Sequence, residues 1–344
     1  MVTALAVLFV FGLLIIGHEF GHFIIAKISG VKVMEFSFGM GPALLKFGKG
    51  ETEYAWRAFP IGGFVRMLGE EEEDNDPRSF SMKPTPVKMA IIAAGPIMNM
   101  IIAIIIFAII SMSAGYLKPV VSDYAKPVKI EDVETYPAKE AGVMVGDKIV
   151  KANGKTIHIY DDFLMFMMKN GGTPFDLTVN RGGKDVDLKV NPVYSKEDGR
   201  YLVGIMVTPE KAGLLEGLQY GALKSWTLVK EMGGFFKDLA AGKASSDDVS
   251  GPVGIIKITG DVAHQGFGSL LMFTAFLSVN LAVMNLIPFP ALDGGWLLIL
   301  IIEGIRRKKL DPDKIGVLNF IGFAFLMILV VIVTFKDVAR LNIF

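Results

Sequence analysis

The sequence predicts a polytopic α-helical membrane protein with about four transmembrane helices, a membrane-associated β-hairpin loop and an inserted soluble α/β domain. Three observations carry that prediction. The composition is 52% hydrophobic over 344 residues, with a mean hydropathy of +0.48, too apolar for a soluble chain of this size. Four stretches, about 2–26, 89–115, 268–302 and 315–335, reach the ~20 apolar residues that a bilayer core demands. The 35 basic and 35 acidic residues gather instead in the middle of the chain and in short loops. The expected divisions are 1–115 (first membrane region), 116–210 (insert), 211–267 (amphipathic helix and connection) and 268–344 (second membrane region).

The first stretch lacks a basic start and runs through HEFGH, His18 to His22, without a clear cleavage site, so it reads as a retained helix. Val2 to Gly17 carries no charge, which makes two histidines and a glutamate conspicuous there. Ionisable groups are costly in hydrocarbon and are usually functional where they occur. Residues i and i+4 lie about 40° apart on a helix, so His18 and His22 can share one metal with Glu19 beside them. Neutral imidazoles suit Zn2+, and a carboxylate suits a base that works on water at the metal. With no cysteine in the chain, thiolate ligands, disulfides and a cysteine nucleophile are all excluded. Zero net charge gives no argument for nucleic acid binding.

Between the first two spans, LLKF (44–47), a GKGE turn (48–51), YAWRAF (54–59) and IGGFVRML (61–68) predict a hairpin. Backbone of this kind at membrane depth must be buried in protein or line a polar cavity, and an exposed edge could hold a second peptide extended. The second span contains AGPIMN, where Gly95 and Pro96 predict a kink and Asn99 an interhelical hydrogen bond or a part in the site. The insert opens with strand-like VKIEDV (128–133), passes a short helix at 161–169 and a hairpin turning at 180–183, and closes with RYLVGI (200–205). Residues 211–250 read as an amphipathic helix, SGPVGI (250–255) as a turn-rich entry to the last spans, and His264 as a surface residue.

The third hydrophobic stretch is too long for one helix and is interrupted by Pro288 and Pro290. Apart from Glu19, Asp293 in NLIPFPALDGG is the acid well inside a span, and it is the candidate third ligand. At 1.5 Å per residue, His18 and His22 lie roughly 13 and 8 Å before Lys27, and Asp293 roughly 15 Å before Glu303. Spans one and three run in the same direction, so the three groups can meet at one depth. Asn280 and Asn285 precede the break and could bond a substrate backbone or satisfy each other within the bundle. Arg306, Arg307, Lys308 and Lys309, with the basic loop after span one, place those loops in the cytoplasm and the insert outside.

Together HEFGH, FSFGMGP, IGGFVRMLGE, AGPIMN, SGPVGI and NLIPFPALDGG resemble the site-2 protease family of intramembrane zinc metalloproteases, over essentially the whole chain. AGVMVGDKIVKANG (141–154) is similar to a PDZ domain of the circularly permuted bacterial type. The resemblance implies Zn2+ held by His18, His22 and Asp293, with Glu19 as the catalytic base and Asn280 and Asn285 on the substrate. It implies single-span membrane substrates, such as anti-sigma factors or remnant signal peptides, and residence in the bacterial inner or plasma membrane. One departure is a single PDZ module where some relatives have two. The rival expectations are a metal transporter, which predicts polar residues strung along a path through the membrane, and a PDZ scaffold with a structural zinc, which leaves Glu19 and the broken third helix without a purpose.

Overall fold

The structure, a computed structural model, describes residues 1–48, 50–70, 74–125, 127–130, 133–243 and 249–340, without the side chains of 60, 61, 128–130, 133 and 134. Glu71 to Glu73 of the acidic run and Ala244 to Asp248 of the segment after the amphipathic helix lie outside the described residues. Two compact units are formed, one by 1–106 with 228–344 and one by 107–227.

In the first unit α1 (Val2–Ile28) carries HEFGH. Its buried residues, Ala6, Val10, Gly12, Leu14, Gly17, Gly21, His22 and Ala26, are largely small. Small residues let membrane helices approach closely where the hydrophobic effect cannot drive association. A Cβ on Gly21 would strike the Ala94 carbonyl of α2 (Thr85–Ser113) and come within 2.9 Å of Met98 Cβ. Four described helices are long and apolar enough to span: α1, α2, Phe267–Leu286 and Pro312–Arg340.

The hairpin is longer than its turn signals imply. Strands β1 (Val33–Phe47) and β2 (Glu53–Met67) pair antiparallel, and the Gly-rich pieces lie within continuous strands at register shifts. Gly39 and Gly41 adopt φ of +87° and +84°, open to glycine at no steric cost. Val33, Glu35 and Ser37 are buried, whereas Met40, Leu44, Leu45, Phe47, Trp56 and Phe59 leave the far half exposed and apolar. The buried Glu35 carboxylate accepts hydrogen bonds from Arg57 and Arg66 across the strands. A buried carboxylate needs such pairing.

The second unit is centred on a four-stranded antiparallel sheet with spatial order 184–190, 175–181, 148–152, 155–156. VKIEDV is two short paired strands, Val128–Ile130 and Val133–Thr135, not one; Glu131 and Asp132 lie outside the described residues. A turn of helix, α3 (Pro137–Glu140), and the longer α4 (Tyr160–Asn170) flank the sheet. Val143, Ile149, Phe163, Phe175, Leu177, Val179 and Val190 form the core. RYLVGI divides at Gly204, so that 200–202 pairs with 193–195 and 205–206 with 123–124.

Asp147, almost fully buried, accepts from Arg181 Nε at 2.8 Å and Nη2 at 2.7 Å, and from the Met144 N–H at 2.9 Å. The Arg181 guanidinium holds its carboxyl below the usual carboxylate range. A group whose folded pKa is depressed contributes stability above its unfolded value and loses it as pH falls through the folded one. Amide protection in this unit of the intact protein, taken relative to the intrinsic exchange rate at each pH, is therefore expected to fall as pH drops below about 4. Asp147→Asn should destabilise the unit by about 2 kcal/mol at neutral pH and flatten that acid dependence.

The amphipathic helix is α5 (Leu214–Ala240), which continues from the second unit into the first. SGPVGI does not form a turn-rich entry: α6 (Pro252–His264) starts there. Proline favours the first helical position, because the N–H it lacks would have no partner in any case. The N–H groups of Gly251 and Gly254 are met by the buried Asp337 carboxylate, at 3.2 and 2.7 Å. His264 is exposed at the end of α6. The third hydrophobic stretch breaks where the prolines demand, into α7 (Phe267–Leu286) and α8 (Asp293–Arg306), and α9 (Pro312–Arg340) follows.

Candidate metal centre

The break after α7 leaves Asp293 as the first residue of α8, turned toward α1. Gly294 and Gly295 permit this: a Cβ on either would meet the backbone of Leu286 or Phe289. Asp293 Oδ2 lies 3.1 Å from His18 Nε2 and 3.6 Å from His22 Nε2, and the two imidazole nitrogens are 3.2 Å apart. Zinc bonds of ~2.0–2.1 Å in a tetrahedron set donor atoms about 3.3 Å apart. The three atoms thus have the spacing of three corners of such a site. Asp293 Oδ2 is buried without a well-formed hydrogen bond, as expected of an atom that a cation would satisfy. Among the described residues this is the trio of His, Asp and Glu side chains able to hold a metal. Donor set and spacing both fit zinc.

The outer contacts bear on which ring nitrogens are free. His22 Nδ1 donates to the Ile91 carbonyl at 2.9 Å, so its Nε2 keeps the lone pair. Ile91 lies one residue before Ile92, whose carbonyl loses its helical donor at Pro96. Asn99 is fully buried, with its amide 3.3 Å from His18 Nδ1 and its Oδ1 unpartnered. A half-turn of that amide sets Oδ1 against Nδ1, where it accepts the ring N–H and frees Nε2 as a ligand. The Asn99 carbonyl in turn accepts from Ser278 Oγ of α7 at 2.7 Å. The two expectations for Asn99 therefore coincide: it makes an interhelical hydrogen bond, and its partner is a candidate ligand.

Glu19 projects from the same turn of α1 as His18, toward β2. The Val65 N–H faces its carboxylate, and a Cβ on Gly63 would lie 3.2 Å from its Cγ. A cavity of about 1070 Å³ is bordered by Phe64, Val65 and Arg66 of β2, Trp296 and Leu300 of α8, and Asn319. Asn280 and Asn285 are half-buried on α7, about 140° apart around its axis. Asn280 Nδ2 donates to the Phe276 carbonyl of its own helix at 2.8 Å, and neither asparagine bonds to the trio among the described residues. Sequence reasoning missed Gly95, whose missing side chain makes room for both histidines. A Cβ there would fall 2.6 Å from His22 Cε1 and 2.8 Å from His18 Cε1.

The chain matches Peptidase family M50 over residues 6–329. It is 44% identical to a protein of Clostridium acetobutylicum named as a zinc metalloprotease, over 95% of each chain. A protein of the same designation from Clostridium perfringens is 43% identical over 96% of this chain and 97% of its own. The regulator of sigma-W protease RasP of Bacillus subtilis is 31% identical over 98% of this chain and 99% of its own. The PDZ domain of an SdrC-like protein from Listeria monocytogenes covers 26% of this chain and 88% of its own at 19% identity, with a TM-score of 0.21. With a family match across almost its whole length and relatives this similar end to end, the chain belongs to peptidase family M50, the site-2 protease family, and is a zinc metalloprotease.

Proposed function

We propose that this protease hydrolyses a peptide bond inside the transmembrane segment of a single-span membrane protein whose outer part has already been trimmed. Anti-sigma factors and remnant signal peptides are the substrate classes. The observation that carries this reading is the placement of His18, His22 and Asp293 within 4.8 Å of one another, two of them on the long apolar helix α1 and the third at the start of α8. His18, His22 and Asp293 are the proposed zinc ligands. Bound there, zinc supplies Lewis acidity, polarising the scissile carbonyl and making water nucleophilic near neutral pH. Glu19 takes the proton from that water and delivers it to the leaving amine.

A substrate helix hides its carbonyls in internal hydrogen bonds, so it must be held extended to be cut. A free edge of the β1–β2 hairpin can pair with it as an added strand. Asn280 keeps its Oδ1 and one amide hydrogen for the substrate backbone, and Asn285 lies just ahead of the break. The basic cluster at 306–309 supports a cytoplasmic position for that loop, with the insert outside. On that side the PDZ module screens substrates by bulk. Among the described residues of α1, the ionisable side chains ahead of Lys27 fall within a single helical turn, His18 to His22, which disfavours the transporter alternative.

The test is cleavage of a tagged single-span substrate by the purified protein in detergent, with and without its bulky outer domain. Trimmed substrate is expected to be cut within its apolar segment, as mapped by mass spectrometry, and untrimmed substrate at least ~10-fold more slowly. 1,10-Phenanthroline should stop the reaction and added zinc restore it. Cleavage mapped outside the apolar segment, or equal rates on both substrates, would overturn the proposal.

A further inference from the structure

The segment between α7 and α8 can satisfy little of its own backbone. Pro288 and Pro290 have no N–H, the Phe289 N–H closes onto the Ile287 carbonyl at 2.7 Å, and the Leu292 N–H reaches the Phe289 carbonyl at 3.2 Å. Ala291 differs from its neighbours in two ways. Its φ is +71°, a left-handed conformation that an L-residue with a Cβ adopts only under constraint. Its N–H is met from outside the segment, by Asn319 Oδ1 of α9 at 3.2 Å. Two residues later comes Asp293.

The same face of α9 follows the segment residue by residue. Gly322 is buried against Pro290, where a Cβ would lie 2.6 Å from the proline Cβ and 2.7 Å from its carbonyl oxygen. The ring of Phe325 lies 5.7 Å from that of Phe289. Phe325, Gly322 and Asn319 thus meet Phe289, Pro290 and Ala291 in antiparallel order. The spanning part of α9 is only 6% buried, and Gly322 is a buried residue within it. Its contact with the segment is therefore concentrated on residues that lead directly into the metal-facing acid.

We propose that Asn319 is a positioning residue: by holding the Ala291 N–H it keeps the left-handed turn that aims Asp293 at His18 and His22. The inference rests on Asp293 as a zinc ligand. It assigns α9 a part in metal retention although no α9 side chain belongs to the trio. The mechanism is local, because a residue strained at φ +71° relaxes toward negative φ once its hydrogen-bond partner is removed, and the relaxation swings the two residues that follow it.

The experiment measures zinc content of the purified full-length protein during a timed EDTA challenge. Five forms are compared: wild type, Asp293→Ala, Asn319→Leu, Ala291→Gly, and Asn319→Leu with Ala291→Gly. Leucine keeps the bulk of asparagine without its acceptor, and glycine holds a left-handed turn unaided. Asn319→Leu is expected to lose zinc roughly tenfold faster than wild type, the usual scale for outer contacts of a metal site. Adding Ala291→Gly should recover most of that loss. Zinc retention within twofold of wild type in Asn319→Leu would overturn the proposal, and so would a loss that Ala291→Gly does not relieve, since the effect would then lie in helix packing and not in the turn. Wild-type retention in Asp293→Ala would instead remove the ligand assignment beneath it, and the proposal with it.

Discussion

Replacing Glu19 with glutamine is expected to abolish peptide hydrolysis while zinc stays bound. The substitution preserves size and shape, and Glu19 contributes no atom to the trio of His18 Nε2, His22 Nε2 and Asp293 Oδ2. A carboxamide cannot accept the proton that an attacking water must give up, and a general base is worth roughly 10²–10⁴ in rate. The placement of Glu19 explains why a substitute is hard to find. It leans between the two histidines and β2, where the Val65 N–H faces it, and Asp293 is engaged with the histidines. Single-turnover cleavage measured beside metal analysis separates the roles. Glu19→Gln should keep its zinc and lose turnover, whereas Asp293→Ala should lose both. Turnover surviving in Glu19→Gln would move the base elsewhere and withdraw the assignment of Glu19.

That His18, His22 and Asp293 could meet is legible in the sequence because helices have a fixed rise. Counting residues from Lys27 and from Glu303 placed His18, His22 and Asp293 at one level, and the structure brings them together. The break at Pro288 and Pro290 was equally legible, since a missing N–H is a local property. What a residue meets across a helix interface is set by lateral packing, which no count along the chain reveals. The sequence therefore does not reveal that the two expectations for Asn99 coincide, which follows from its amide lying against His18. SGPVGI suggested turns because its glycines and proline are turn formers. The carboxylate that makes it a helix start belongs to Asp337, more than 80 residues later. The hairpin strands were underestimated for a related reason: Gly39, Gly41 and Gly62 carry positive φ within a bulged ladder and do not end it.

Gly95→Ala is expected to cost the protein its metal, and the sign of its effect on the helix makes the result diagnostic. Within α2 an alanine should favour helix by ~1 kcal/mol over glycine, so local propensity predicts a more stable protein. The added methyl, however, points into the candidate centre, within 2.6 Å of His22 Cε1 and 2.8 Å of His18 Cε1 and closer still to His22 Nε2. Neither ring can retreat freely, because His22 is tied through Nδ1 to the Ile91 carbonyl and His18 rests on Asn99. Overpacking of this kind costs about 1–3 kcal/mol when the neighbours adjust, and here the adjustment must displace ligands, so zinc affinity should fall by roughly 10- to 100-fold. Gly233→Ala in α5 is the matched control, since a Cβ there meets nothing within 4 Å. It should raise or preserve thermal stability and leave zinc content unchanged. Gly95→Ala should keep the fold, shown by circular dichroism, and lose metal and cleavage together. If it binds zinc as the wild type does, the histidines of the working enzyme do not lie against α2 as they do here, and the centre must be built on a different approach of α1 to α2.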